Sequence, residues 1–439
     1  MTPRRFAILA LGSRGDVQPF VALGRGLTAR GHRVTIAAAE DYEPLVREHG
    51  LAFAPLVGRI ADLMDHDLTY RVLDAGGNPL PFARRAFSQV APMVEQLVLD
   101  SLEASRDADA LVVSTLGQHP GETVAEALGG VPLFATHFHP YAPTAAHPHM
   151  FFLPAPRPSR GGRVYHRATH ALGEQGMRQF LRPAINRARR RLGLKPQGVG
   201  EQYRRMRGSF ARGVHLHAYS PLVAPAPPDW DAARHVVTGY WPLPRPTGWM
   251  PPPDLAAFLE SGPRPVYVGF GSILAGRDPD GVTRSIADAL ERAGQRGVLY
   301  RGWGDVGNVP LPPTVHVTGG AYHDWLFPRC RAVVHHGGAG TTAAALRAGV
   351  PAVAVPFFGD QRFWARRLEA LGAGVTLPRP RLTAATLADA LARLLADEAF
   401  AGRAADLGRA LADEDGVARA VGAIEARMGA VTPILRAHK

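Results

Sequence analysis

Twice along this 439-residue chain short apolar runs alternate with helical patterns, and twelve prolines in the 45 residues from Pro221 to Pro265 separate the two series. Proline lacks a backbone donor and fixes φ, so that stretch cannot form core strand or long helix and reads as an interdomain connection. The first series opens with an apolar strand at 6–11, then helical spacing over 17–30 with Pro19 near its start and Gly31 just past its end. Residues 33–38, 110–115 and 133–138 are expected strands, and 123–128 is helical. Beyond the prolines come strands at 266–270, 298–300, 315–317, 332–335 and 352–355, with helices at 279–295, 383–395 and 416–428. Strands separated by helices imply parallel sheets with helices on their faces, hence an α/β chain of two doubly wound halves. The expected division is a first domain over 1–220, the linker over 221–265 and a second domain over 266–415. Residues 416–439 would form a closing helix and tail that pack back on the first domain. Ligands in such sheets sit at the carboxyl ends of the strands, here in a cleft between the domains.

Composition narrows the function. With 46% apolar and 20% charged residues the chain is globular, and no apolar run approaches the ~20 residues that span a bilayer. Cys330 is the single cysteine, which excludes an internal disulfide framework and points to a reducing, cytoplasmic setting. The net charge of +12 is local, because residues 157–212 hold fifteen Arg or Lys against Glu174 and Glu201. Zinc-finger, basic-zipper and RNA-recognition motifs are missing, so nucleic acid is not the expected partner. The segment is either a solvated helical face or a peripheral contact surface for an anionic membrane.

Three loops carry chemistry. After the first strand stands Gly12-Ser13-Arg14-Gly15-Asp16, which lacks the G-x-G-x-x-G spacing of a dinucleotide site. Asp16 is placed either to cap the following helix or to take a proton from an attacking hydroxyl. His335-His336-Gly337-Gly338-Ala339-Gly340-Thr341-Thr342 lies between strand and helix. It is a plain turn or an anion cradle, with glycines admitting the ligand, helix N–H groups facing it and two hydroxyl donors. No lysine follows, so it is not the phosphate loop of ATP or GTP hydrolases. Asp360 and Gln361, after Phe357-Phe358-Gly359, suit neighbouring hydroxyls of a pyranose. His137, His139, His147 and His149 invite a metal reading, yet no carboxylate or thiolate accompanies them, so a metal site is not expected.

Together these motifs resemble the family 1 glycosyltransferases of GT-B fold, in the branch joining sterol glucosyltransferases and bacterial aglycone glycosyltransferases. The matching stretches are LALGSRGDVQPFVAL at 9–23, 219–242, VYVGFGS at 266–272, HDWLF at 323–327, 335–364 and 414–426. The similarity covers nearly the full length, apart from parts of 55–105 and 150–215. The resemblance implies two Rossmann-like domains facing across a cleft, and an inverting, metal-independent hexosyl transfer. By position Asp16 is the general base, with His137 or His139 assisting. Ser272, His336, Gly338, Gly340, Thr341 and Thr342 bind the donor diphosphate. Arg301, Trp303 and Tyr322 take the nucleoside, and Asp360 and Gln361 the hexose. Plant members pair a catalytic His with an Asp, whereas here Asp16 holds the His position and residues 114–117 offer no carboxylate. The glutamate that reads ribose in plant enzymes falls near Ala344. No cofactor is implied beyond the co-substrate, a UDP-sugar or dTDP-sugar.

The expected activity is transfer of glucose from UDP-glucose to a hydroxyl of a lipophilic acceptor such as a sterol or triterpenoid. One rival is a polyketide or peptide aglycone enzyme that uses a dTDP-sugar. Another is a non-catalytic GT-B homologue that activates a partner enzyme, which would have no need of Asp16, the glycine loop and Asp360-Gln361 together.

Overall fold

A computed structural model describes residues 2–58, 91–152, 159–270, 278–302 and 309–430. Seven strands form the first sheet: β1 (Arg5–Leu9), β2 (Arg33–Ala39), β3 (Ala52–Leu56), β4 (Ala110–Ser114), β5 (Leu133–His137), β6 (Val214–His217) and β7 (His235–Val237). They are all parallel, in the order β3-β2-β1-β4-β5-β6-β7, with Ile8 opposite Ile36 on one side and Val112 on the other. The second sheet holds β8 (Val266–Gly269), β9 (Gly297–Tyr300), β10 (Val315–Thr318), β11 (Ala332–His335), β12 (Ala352–Ala354) and β13 (Gly374–Thr376). It too is parallel, in the order β10-β9-β8-β11-β12-β13. The central strands are apolar along their middles because helices cover both faces, as Phe6, Ala7, Ile8 and Leu9 illustrate, all buried.

In the first half the helices are α1 (Arg14–Ala29), α2 (Glu43–Glu48), α3 (Val94–Ala104), α4 (Gln118–Ala127), α5 (Arg160–Arg191) and α6 (Val199–Arg212). The second half has α7 (Pro253–Glu260), α8 (Pro279–Arg292), α9 (His323–Leu326), α10 (Ala339–Arg347), α11 (Gln361–Ala370), α12 (Ala384–Ala396), α13 (Glu398–Ala412) and α14 (Gly416–Ala430). α1 begins three residues before the expected start, because Ser13 and Asp16 build a capping box ahead of it, and Pro19 therefore lies inside the helix. Within the proline-rich stretch sit β7, a three-residue strand at the sheet edge in a proline-free gap, and α7, whose first residue is Pro253. At that first helical position a missing N–H goes unused. α14 returns to the first domain and lies on α1: a Cβ on Gly26 would come within 2.4 Å of Val417 Cγ1, and Arg30 pairs with Glu425 at 3.2 Å.

The basic segment departs from a purely solvated face. Along α5, Arg178 and Arg189 are each only 1% exposed. Arg178 bonds Glu122 with both terminal nitrogens at 2.7 Å and Glu174 at 2.9 Å, and Arg189 holds Glu126 at 2.9 Å. These buried pairs fasten the long helix to α4. Arg187 and Arg191, on its outer side, share Glu95 at 2.8 and 3.0 Å.

Candidate active site

Each sheet reverses its strand order once, the first between β1 and β4 and the second between β8 and β11. The crevice at such a reversal, beyond the strand carboxyl ends, is where doubly wound sheets bind ligands. Residues 12–16 follow β1, and residues 336–342 follow β11, so the two glycine loops stand at the two reversals.

Asp16 is the third residue of α1, and its Oδ2 accepts from Ser13 N–H at 2.7 Å and Ser13 Oγ at 2.9 Å. Gly12 makes room for it: φ there is +133°, and a Cβ would lie 2.3 Å from Oδ2. Enclosure in the cleft pushes the Asp16 carboxyl up to about 6, against the Ser13 bonds, with the charge of Asp360 adding to the rise. Tyr42 is close enough for that carboxylate to hinder its ionisation. The Ser114 hydroxyl, at the end of β4, is engaged in closing the crevice floor, donating to Leu11 O at 3.1 Å and accepting from Leu11 and Gly117 N–H at 3.2 Å.

The two histidines expected beside Asp16 part company. His137 ends β5 fully buried, with Nδ1 on Thr115 Oγ1 at 2.9 Å and Nε2 on His215 Nδ1 at 3.0 Å. Neither nitrogen is left to assist Asp16, which corrects that expectation for His137. The registers His137↔His217 and His215↔His235 put these imidazoles on one sheet face, where His137, His215 and His235 stack at 5.3 and 4.9 Å. Burial, reinforced by its neighbours, holds His137 neutral, well below the ordinary imidazole range. His139 instead lines the cleft, its Nε2 buried without a partner and its pKa lowered to about 4 by burial. His147 and His149 join it there. Among the described residues no group of three or more His, Cys, Asp or Glu is placed to hold a metal ion.

On the second domain, His336 leaves β11 and its ring folds over Gly338, where a Cβ would meet Nε2 at 2.4 Å. Gly337, at φ +83°, donates its N–H to His335 Nδ1 at 3.0 Å, and a Cβ there would meet Gln361 O at 3.0 Å. Gly338 is the N-cap of α10 and brings no side chain to its first-turn N–H groups, so the positive end of that helix stays open to an anion. His336 Nδ1 and Thr342 Oγ1 are buried without partners beside it, burial holding His336 neutral at about 4. Gly340 is exposed and Thr341 half-buried at the same end.

Asp360 caps α11 from the loop after β12, and its Oδ2 accepts from Trp364 Nε1–H at 3.0 Å. Burial raises its carboxyl to about 6. Gln361 spends its amide oxygen on Phe357 N–H at 2.7 Å and Phe358 N–H at 3.1 Å, so it shapes the loop and keeps only Nε2 for a ligand. Arg301 is exposed at the end of β9, its backbone N–H on Thr318 O at 2.9 Å. Tyr322 precedes α9 and meets Trp249 edge-on at 5.2 Å. Trp249, on the proline-rich segment, was not singled out in the sequence, since nothing local distinguishes it from its surroundings. Ser272 and Trp303 lie outside the described residues. Between the 139–152 loop and α11 a small cavity, open to solvent, is lined by His139, His147, His149, Asp360, Arg362 and Arg366.

Residues 6–134 match the glycosyltransferase family 28 N-terminal domain, and 304–424 match the erythromycin biosynthesis protein CIII-like C-terminal domain. The chain is 36% identical over 450 aligned positions to a sterol 3-beta-glucosyltransferase of Emericella nidulans, covering 99% of itself and 31% of that relative. For a sterol 3-beta-glucosyltransferase of Neosartorya fischeri the figures are 38% over 437 positions, 96% and 29%. The chain thus spans only about a third of the length of these curated relatives. Among solved structures, the glycotransferase of kitacinnamycin superposes with a TM-score of 0.68 at 22% identity, over 97% of this chain and 100% of that one. Glycosyltransferase VinC, solved with dTDP, gives 0.62 at 21% identity, over 97% and 100%. Two doubly wound domains facing across a ligand cleft are thus a GT-B architecture. The chain belongs to the glycosyltransferases of that fold: its two halves match two glycosyltransferase domain families, and nearly its whole length aligns with the sterol 3-beta-glucosyltransferases.

Proposed function

We propose that the protein transfers a hexose, glucose from UDP-glucose, to a hydroxyl of a lipophilic acceptor of sterol or triterpenoid type, with inversion. The observation that carries this reading is the pair of carboxylates from opposite domains, Asp16 and Asp360, close enough for one charge to act on the other. Asp360, with Gln361 Nε2, holds the hexose, while Asp16 Oδ1 accepts the proton of the acceptor hydroxyl. The acceptor oxygen attacks the anomeric carbon from the face opposite the diphosphate, and the bond to the diphosphate breaks. Charge developing on the leaving group is met by the open end of α10, by His336 and by the Thr341 and Thr342 hydroxyls. Arg301 and Tyr322 hold the nucleoside, with Trp249 behind the tyrosine. His139 orients the acceptor.

The activity named for the similar sterol 3-beta-glucosyltransferases supports the sterol reading. The dTDP-bound neighbour and Ala344 support a second, in which a natural-product aglycone receives a dTDP-sugar. The exposed Val164, Tyr165 and Leu172 of α5, at 69%, 40% and 65%, beside the exposed Arg160 and Arg163, support peripheral contact with an anionic membrane. No helix among the described residues is long and apolar enough to cross one. Mass spectrometry of mixtures of UDP- and dTDP-sugars with sterol, triterpenoid and polyketide acceptors tests the assignment. A sterol or triterpenoid hexoside from UDP-glucose is expected. Product only from a dTDP-sugar and a polyketide favours the second reading, and no product from any pair sinks both.

A further inference from the structure

The cavity between the 139–152 loop and α11 contains polar groups that the transfer reaction leaves unused. Arg362 and Arg366 stand one turn apart on α11 and both line it, yet neither makes a hydrogen bond or ion pair with any described residue. Burial and the like charge of Arg362 make the Arg366 guanidinium harder to keep charged, with Glu369 alone acting the other way. Arg362 is half-buried and Arg366 keeps an exposed face, so the pair places two like charges one turn apart without a counter-ion, and a bound anion would relieve that repulsion. The opposite wall points the same way. His149 is 2% exposed, its Nδ1 accepts from Phe151 N–H at 3.5 Å, and its Nε2 is therefore an N–H donor, buried and without a partner. His147 donates from Nδ1 to Pro148 O at 3.2 Å, which leaves a bare Nε2 able to accept from a hydroxyl. Asp360, the only carboxylate in the lining, is held by Trp364 at 3.0 Å, and neither arginine stabilises its charge. Met150, Phe152 and Phe363 supply apolar wall between these groups.

We propose that this cavity binds a carboxylate carried by the lipophilic acceptor, with Arg362 and Arg366 as the specificity-determining residues and His149 Nε2–H as a third donor. The inference rests on the glycosyl-transfer reading and narrows it to hydroxy acids of steroid or triterpenoid type. Guanidinium–carboxylate bonds are charge-assisted and roughly twice as strong as neutral ones, so an acid and its methyl ester should differ sharply.

The test is calorimetry on the full chain with lithocholic acid and oleanolic acid, each against its methyl ester. Each acid should bind roughly 10–100-fold more tightly than its ester, and Arg362→Gln with Arg366→Gln should bring that ratio close to one. Equal binding of acid and ester by the unaltered protein overturns the proposal, as does an acid preference that survives in the double variant. A carboxylate on the donor sugar is the other source of the same chemistry, so UDP-glucuronic acid is compared with UDP-glucose. If the double variant loses affinity for UDP-glucuronic acid and none for the hydroxy acids, the site serves the donor and the proposal falls. Product analysis of the same mixtures with UDP-glucose reports separately on the transfer reading, which fails on an absence of hexoside whatever the binding ratios are.

Discussion

At the head of α1 both bonds from Ser13 fall on Asp16 Oδ2, so the capping role and the proposed proton-accepting role use different oxygens. Asparagine at this position keeps an oxygen for Ser13 and loses basicity. Asp16→Asn should therefore retain fold and UDP affinity while turnover falls roughly 10²–10⁴-fold, read by steady-state kinetics alongside calorimetry with UDP. Because the Asp16 carboxyl sits at about 6 and only its ionised form accepts a proton, kcat/KM should climb through pH 6 and level off above it. Part of that elevation comes from Asp360, so Asp360→Asn should move the acidic limb to lower pH, and an unmoved limb would mean the two carboxyls do not communicate. Ligand affinities separate the remaining roles. His336→Ala should weaken UDP itself, while Asp360→Ala should spare UDP and weaken UDP-glucose, and equal losses for both ligands at Asp360 would remove it from the sugar site.

The long helix α5 shows how one basic segment divides between core and surface. Arg178 anchors two carboxylates, Glu122 and Glu174, that are 17% and 7% exposed. Arg178→Leu would strand both, and urea unfolding should register a loss of about 3–5 kcal/mol, the usual cost of breaking a buried pair from one side. Arg160 and Arg163 lie at the exposed end of the helix beside Val164 and Tyr165. Replacing both with Gln should reduce flotation with anionic vesicles at low salt, since exposed charges are screened over ~10 Å at 0.1 M. If the unaltered protein ignores such vesicles, this end of α5 is a solvated surface. The loop before α10 obeys a different logic. There glycine at 337 and 338 is required by Gln361 O and the His336 ring, both brought close by the fold.

Across the molecule, nine histidines of the first domain (119, 137, 139, 147, 149, 170, 215, 217 and 235) are held below the ordinary imidazole range, burial being the main cause for each. Depressed values mean that the unfolded chain takes up protons first. Their contribution to stability is complete above about pH 6.5 and is lost as pH falls toward their folded values, many of them about 4. Each group adds a slope of up to ~1.4 kcal/mol per pH unit in that window, so together they outweigh the opposite slope from the raised Asp16 and Asp360. Tm followed by circular dichroism should therefore drop steeply between pH 6.5 and 5, and a flat profile there would show that the imidazoles are solvated.

Much of the architecture was legible because central parallel strands must be apolar on both faces, and runs such as Phe6-Ala7-Ile8-Leu9 announce that locally. Glycine loops at strand ends were equally plain, since backbone approach to an anion or a carboxylate permits few other residues. β6 was missed because its Val-His-Leu-His reads as polar until the fold buries both imidazoles against neighbouring rings. His137 and His139 look alike in the chain, two residues apart at the end of β5, yet one is consumed by Thr115 and His215 while the other lines the cleft. Arg178 and Arg190 are indistinguishable by composition, but the first is buried with two glutamates and the second is exposed. Local periodicity and covalent geometry act within a few residues and so are written in the chain. Which polar group finds a partner, and which is left for a ligand, depends on contacts between segments 20 to 200 residues apart, and only the folded structure supplies those.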